Sequence, residues 1–120
     1  MILVVEDDDG LRASIARLLH AAGFSSAEFA TAEEALADPA SEDAACVISD
    51  MKLPGKSGLE LLTELRARNL ESPLILITAY DNSGLREEAS RRCAAYLVKP
   101  LLGTELLDTV RAALEPPTQQ

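Results

Sequence analysis

The chain has 120 residues and a hydrophobic fraction of 48%, which is enough for the core of one domain, and its 3% aromatic content predicts an aliphatic core. A net charge of −9 argues against direct binding of nucleic acid, because an acidic surface and a phosphate backbone repel each other. No apolar run approaches the length of a membrane span, and two cysteines are too few for a disulfide scaffold. We therefore expect a cytoplasmic protein with no membrane contact.

Strand-like and helix-like segments alternate along the chain. Apolar runs predict buried strands at residues 2–6, 45–49, 74–78 and 95–98, and residues 25–29 predict a weak, short strand near an edge of the sheet. Segments with apolar residues at helical spacing follow these runs, and they predict a short helix between Thr31 and Pro39 and longer helices at residues 9–22, 57–69, 83–93 and 103–114.

The ends of several predicted helices carry recognisable signals. Thr31 with Glu34, and Ser57 with Glu60, predict two capping boxes, in which each side chain accepts a hydrogen bond from the backbone N–H of the other residue. Leu102 is a poor cap for the last helix, because a polar residue is usual there. The fourth helix has few apolar positions, so we expect little packing to hold it in place.

Five strand–helix units with apolar strands predict an α/β fold in which a parallel sheet is covered on both faces. Crossovers between parallel strands are right-handed in about 98% of cases. The expected architecture is a flavodoxin-like, doubly wound, five-stranded (βα)5 sheet with strand order 2-1-3-4-5. Residues 1–115 would form this domain, and residues 116–120 would form a polar tail or the start of a linker.

Four of the predicted strands stop at polar residues. Glu6 and Asp7 follow the first strand, Asp50 follows the third, Thr78 ends the fourth and Lys99 follows the fifth. Because the carboxyl ends of parallel strands lie along one edge of a sheet, these side chains should meet in one pocket.

The chemistry of this predicted pocket favours a divalent cation. Carboxylates about 5 Å apart repel by roughly 3 kcal/mol per pair at an effective dielectric constant near 20, so three of them will share protons or hold a cation. Mg²⁺ prefers oxygen ligands, and it would offset the charge of an incoming phosphoryl group. Asp50 can then act as a carboxylate nucleophile, while the Lys99 ammonium can pair with a phosphoryl oxygen, or with Asp50 in the empty site.

The motifs VVEDD, SDMKLPG, LILITAY and YLVKP stand in the order found in one family of signalling proteins. In this order and spacing, the chain resembles the receiver domain of bacterial two-component response regulators over about residues 2–115. The resemblance implies that Asp50 is the phosphoacceptor. It also implies a Mg²⁺ site in which Asp7 is a direct ligand, Glu6 acts through water and Lys52 contributes its backbone carbonyl. Glu6 stands where aspartate is more frequent.

The same resemblance implies a conformational switch. Thr78 would hydrogen-bond the phosphoryl group, Lys99 would pair with it, and Tyr96 would change position on activation. Lys52 and Tyr80 would flank the pocket, at positions that tune the lifetime of the phosphoryl group in receivers.

The implied function is a signalling switch that is activated by phosphorylation. A histidine kinase or a phosphotransfer protein would donate to Asp50. The surface of the fourth helix, fifth strand and fifth helix would then change to control an output domain or partner. The domain would catalyse its own phosphoryl acceptance and slow autodephosphorylation, and would not otherwise be an enzyme. The charges on the fourth helix could pair across a two-fold axis in a homodimer: Arg86, Glu87, Glu88, Arg91 and Arg92.

Two other functions and one structural alternative stay open. A haloacid-dehalogenase-type phosphatase also uses an aspartate nucleophile and Mg²⁺, but it needs an aspartate two residues further on, where this chain has Lys52. A receiver that no longer takes phosphate would be a docking module only. The charges of the fourth helix could also simply solvate an exposed surface.

Overall fold

The computed structural model describes residues 1–115, so the predicted tail at 116–120 lies outside the described residues. The strands are β1 (Ile2–Val5), β2 (Ser26–Phe29), β3 (Cys46–Asp50), β4 (Leu74–Thr78) and β5 (Ala95–Val98). The helices are α1 (Asp9–Ala21), α2 (Ala32–Ala37), α3 (Gly58–Ala67), α4 (Ser83–Arg92) and α5 (Gly103–Leu114), with a 3₁₀ helix at Pro39–Glu42. Within residues 1–115, no helix combines the length and the apolar character needed to span a membrane.

The strands form one parallel sheet in the order β2-β1-β3-β4-β5, which confirms the predicted flavodoxin-like architecture. Asp50 pairs with Ile77 and Thr78 pairs with Val98, so the ends of neighbouring strands lie at one edge of the sheet. This register brings the polar residues that follow the strands into one region.

Successive strand residues point to opposite faces of the sheet and build two separate cores. Leu3 and Val47 belong to the core under α2, α3 and α4. Val4 and Ile48 belong to the core under α1 and α5. All four side chains are buried, which accounts for the uninterrupted apolar runs that characterise sheets covered on both faces.

Polar contacts at its two ends supplement the sparse packing of α4. Ala89 is buried, whereas the rest of the helix is half-buried or exposed. At the start, the Asn82 side chain accepts a hydrogen bond from the N–H of Leu85 at 2.8 Å. At the end, Arg92 donates to the Thr63 hydroxyl of α3 at 2.6 Å. The prediction of a weakly packed fourth helix agrees with this arrangement.

The helix starts differ from the predictions in one place. Ser57 and Glu60 form the complete capping box predicted for α3. Thr31 accepts from the N–H of Glu34, but its hydroxyl also donates to the Glu34 carboxylate at 3.1 Å. That bond draws the carboxylate to the hydroxyl, so the predicted reciprocal box at α2 is wrong. Leu102 precedes α5 without a side-chain cap from the described residues, as expected.

Candidate functional site

Three carboxylates meet at the carboxyl edge of the sheet. Glu6 and Asp7 lie in the turn between β1 and α1, and Asp50 is the last residue of β3. One oxygen from each carboxylate lies within 4.8 Å of the others, close to the separation expected from the sequence. Glu6 and Asp50 are buried, while Asp7 is exposed. Two acids of the cluster are therefore shielded from solvent, and the third faces it.

Lys99 bridges the two buried acids. Its ammonium donates to Glu6 Oε1 at 2.7 Å and to Asp50 Oδ2 at 3.1 Å. Its backbone N–H donates to the carbonyl of Thr78, and the Lys99–Pro100 peptide bond is cis. The pairing with Asp50 was expected from the sequence, whereas the shorter contact with Glu6 was not anticipated.

The electrostatics of the pocket favour added positive charge. Burial raises the pKa of Glu6 to about 7, and the Asp50 carboxylate adds to this rise while the hydrogen bond from Lys99 opposes it. Burial works against the ammonium of Lys99, but its hydrogen bonds to Glu6 and Asp50 outweigh that effect and raise its pKa. A proton or a metal cation near Glu6 would relieve the repulsion among the acids.

The acidic pocket has a volume of about 550 Å³, and Asp7, Asp8, Lys52, Pro54 and Tyr80 are among the residues that line it. At its mouth the Lys52 ammonium lies 5.2 Å from the centroid of the Tyr80 ring, within the range of a cation–π contact. The predicted flanking residues therefore touch each other, and both also line a neighbouring cleft of about 510 Å³.

Thr78 stands apart from the other predicted site residues. It is buried and lines the neighbouring cleft beside Leu59 and Leu85. Its hydroxyl accepts a hydrogen bond from the N–H of Tyr80 at 2.9 Å, because the chain turns back at the end of β4. The hydroxyl hydrogen remains available for donation.

Tyr96 lies on β5, and its phenol reaches toward the start of α4. The hydroxyl donates to Asp81 Oδ1 at 2.9 Å, and Arg86 donates to the other Asp81 oxygen at 2.8 Å. The Arg86 guanidinium also lies 4.7 Å from the centroid of the Tyr96 ring. The hydrogen bonds from Arg86 and Tyr96 lower the pKa of Asp81, so this carboxylate is held ionised.

Sequence reasoning did not identify Asp81. A signal existed, because Asp81 comes just before a polar cap residue and three residues after Thr78. Its approach to Tyr96, however, depends on the path of the loop between β4 and α4. Sequence reasoning also missed Arg12, which donates to the backbone carbonyl of Glu6 at 2.7 Å.

A flavodoxin-like sheet with an acid cluster and a lysine at its carboxyl edge defines the receiver class of phosphoacceptor domains. Residues 2–111 match the family model described as the response regulator receiver domain, and the chain belongs to this family. Receiver domains are phosphorylation-dependent signalling switches rather than typical enzymes. They bind Mg²⁺ at an acidic pocket and interact with histidine kinases or phosphotransfer proteins.

Curated relatives agree with this assignment. The chain is 36% identical to the transcriptional regulatory protein FixJ of Azorhizobium caulinodans over 112 residues, which are 92% of this chain and 53% of that protein. It is 41% identical to the response regulator protein FleR of Pseudomonas aeruginosa over 110 residues, covering 91% and 23%. The chain thus spans about half of the first relative and a smaller part of the second.

Solved structures show the same fold. The receiver domain of NtrX from Brucella abortus superposes with a TM-score of 0.87 at 29% identity, covering 98% of this chain and all of that one. A CheY-like receiver domain protein from Methanospirillum hungatei JF-1 gives 0.82 at 29% identity, with 94% and 91% covered.

Proposed function

We propose that Asp50 accepts a phosphoryl group from a histidine kinase or phosphotransfer protein in a reaction that depends on Mg²⁺. The observation that carries this proposal is the acid cluster itself: a buried carboxylate at the end of β3, two further carboxylate oxygens within 4.8 Å and an ammonium 3.1 Å away. Residues 1–115 would act as the receiver domain of a cytoplasmic regulator and control an output domain or a partner.

The phosphoryl transfer uses Asp50 as the nucleophile. A carboxylate oxygen attacks phosphorus, an oxygen–phosphorus bond forms, and the bond from phosphorus to the donor atom breaks with its electron pair leaving on the donor. Lys99 then exchanges its contact with Asp50 for one with a phosphoryl oxygen. Its position between two carboxylates keeps it charged for that exchange.

The residues present fit a Mg²⁺ ion. Asp7, Asp50 and the backbone carbonyl of Lys52 would be direct ligands, and Glu6 would act through water. The ion supplies charge that offsets the phosphoryl oxygens. The oxygen-only donor set and the raised pKa of Glu6 support a hard cation here.

The output of the switch would leave through α4, β5 and α5. A phosphoryl group would draw the Thr78 hydroxyl away from the N–H of Tyr80, and the loop that carries Asp81 would move with it. Tyr96 would then lose its partner and change position. The weak apolar anchoring of α4 supports this route, since few packing contacts oppose the change.

We also propose that activation favours a homodimer through the surface of α4, β5 and α5. Arg91 pairs with Glu87 and Arg92 pairs with Glu88 within α4, at 3.2 and 3.0 Å. Dimerisation would therefore require these charges to exchange partners, which fits a contact that forms only after activation. The alternative is that the pairs only solvate the helix. Analytical ultracentrifugation with and without beryllofluoride would distinguish them, because only the dimer predicts a higher mass with the phosphoryl mimic.

Intact-mass spectrometry tests the proposed reaction. Acetyl phosphate with Mg²⁺ should add one phosphoryl group of about 80 Da, as expected for an aspartyl phosphate. Asp50→Asn should abolish the adduct, whereas Asp108→Asn, at an exposed aspartate of α5, should leave it unchanged. An adduct that persists in Asp50→Asn would refute the assignment. Multiple turnover of acetyl phosphate without an adduct would favour a phosphatase, and no reaction at all would favour a docking module.

A further inference from the structure

Arg12 of α1 lies behind the acid pair and contacts the turn that carries it. One guanidinium nitrogen donates to the backbone carbonyl of Glu6 at 2.7 Å, and the other terminal nitrogen donates to Asp9 at 2.6 Å. Nε lies 4.0 Å from the carboxylate of Glu28 on β2. Only 18% of the Arg12 side chain is exposed, although it is a charged group on a helix of the surface layer.

The Glu6 carbonyl needs a partner of this kind. The ladders that join β1 to β2 and β3 end at Val5, so Glu6 comes after the last paired residue. Glu6 is fully buried, and its backbone N–H donates to the carbonyl of Phe29. A buried carbonyl without a donor is costly, and Arg12 supplies that donor from one turn along α1.

Arg12 and Lys99 act on the acid cluster in different ways. Lys99 occupies oxygens of Glu6 and Asp50 that a metal ion would also use. Arg12 bonds the main chain of Glu6 and the side chain of Asp9, outside the cluster. It therefore holds the turn without competing for the carboxylate oxygens that face the pocket.

We propose that Arg12 is a positioning residue for the metal site: its guanidinium is oriented by Asp9 at the start of α1 and bonds the Glu6 carbonyl, which fixes the turn between β1 and α1 so that the oxygens of Glu6 and Asp7 face Asp50. This inference rests on the proposed Mg²⁺-dependent function and assigns a further residue to it. Groups that orient ligands from outside the coordination sphere typically change metal affinity by about 10- to 100-fold when they are removed.

The charge and the geometry of Arg12 make opposite predictions for Mg²⁺. Loss of a positive charge beside three acids would strengthen cation binding, whereas loss of the oriented turn would weaken it. Arg12→Lys separates the two effects, because lysine keeps the charge but has a single ammonium in place of the planar fork. Arg12→Gln removes both the positive charge and the planar fork. Arg17→Lys is a matched control, because Arg17 is exposed on the same helix and bonds Ser14 rather than the turn.

The experiment is a Mg²⁺ titration of each folded variant by calorimetry, with thermal unfolding followed in parallel. We expect Arg12→Lys to weaken Mg²⁺ binding about tenfold, at a temperature where it is fully folded, and Arg17→Lys to match the wild type. NMR shifts of the Glu6 and Asp7 amides should change in metal-free Arg12→Lys. Should either Arg12 variant unfold, the same titration of Asp9→Glu, which keeps the charge but moves the carboxylate that orients Arg12, should show a smaller loss in the same direction.

Two results would overturn the inference and leave the proposed function intact. Equal Mg²⁺ affinity in the wild type and Arg12→Lys would show that orientation by the fork is unimportant. Tighter binding by Arg12→Gln than by the wild type would show that charge outweighs positioning. A wild-type protein that binds no Mg²⁺ would instead overturn the proposed function, and this inference with it.

Discussion

The start of α3 lies close to β3, the strand that ends at Asp50, and Gly58 makes this approach possible. The Gly58 N–H donates to the carbonyl of Met51 at 2.9 Å. A Cβ atom built on Gly58 would lie 2.5 Å from the backbone carbonyl oxygen of Asp50 and 2.8 Å from a methyl carbon of Leu76. The first neighbour is main chain and the second is fully buried, so neither can yield cheaply.

The expected effect of Gly58→Ala follows from two opposing contributions. Replacing glycine reduces the entropy of the unfolded chain and stabilises by about 0.4–1 kcal/mol where the conformation allows it. Forcing an extra methyl into a packed site costs about 1–3 kcal/mol. Since both close neighbours are fixed, the second contribution dominates, and we expect a net loss of about 1–2 kcal/mol. The displaced carbonyl belongs to Asp50, so phosphorylation by acetyl phosphate should slow as well.

Urea unfolding of Gly58→Ala and Gly103→Ala provides the assay and its matched control. Gly103 is likewise the first residue of a helix, but a Cβ there would meet Leu18 at an ordinary 3.5 Å. Gly103→Ala should therefore be neutral or slightly stabilising, with a normal phosphorylation rate. If Gly58→Ala is as stable as the wild type and accepts phosphate at the same rate, the close contact between Gly58 and Asp50 does not limit stability or phosphorylation, and the prediction is wrong.

Three further predictions concern the pocket and its link to α4. The folded-state pKa of Glu6 is raised from 4.5 to about 7, so its contribution to stability is fully present below pH 4.5 and is lost as the pH rises through 7. In Mg²⁺-free buffer, Glu6→Gln should therefore remove part of the wild-type decline in unfolding free energy between pH 5 and pH 8; an unchanged decline would count against burial of this acid. Calorimetry should show that Asp7→Asn raises the Mg²⁺ dissociation constant more than Glu6→Gln does, while equal effects would contradict the division between direct and water-mediated ligands. Asp81→Asn weakens the hydrogen bond to Tyr96 and should speed amide hydrogen exchange in α4. The control Arg91→Gln on the same helix should not. Identical exchange in both variants would show that the bond between Asp81 and Tyr96 does not stabilise α4.

The sequence was sufficient to predict the fold and most of the residues that form the acidic pocket. Buried parallel strands leave an uninterrupted apolar signal, and the polar residue that ends each run must lie at the carboxyl edge once the strands are parallel. Glu6, Asp7, Asp50 and Lys99 meet for this reason, although they are separated by up to 93 positions. Their juxtaposition follows from topology alone.

The contacts that depend on loop paths and side-chain torsions could not be read from the sequence. Thr78 ends its strand as expected, yet its hydroxyl bonds the N–H of Tyr80 and lines the neighbouring cleft. Asp81 lies in the loop between β4 and α4, and the path of that loop brings its carboxylate to the Tyr96 hydroxyl. The Thr31 hydroxyl donates to the Glu34 carboxylate, and this bond replaces the predicted one from the Thr31 backbone N–H to that carboxylate. Each outcome depends on small energy differences between rotamers, which periodicity does not encode.

The bridging position of Lys99 has a consequence for any cation that enters the acidic pocket. The chain carries its own counter-ion directly after β5, and that ammonium joins the two buried acids across the sheet edge. A cation that enters the pocket would therefore have to displace an ammonium that the fold itself supplies, and its affinity would include the cost of breaking these two charge-assisted contacts.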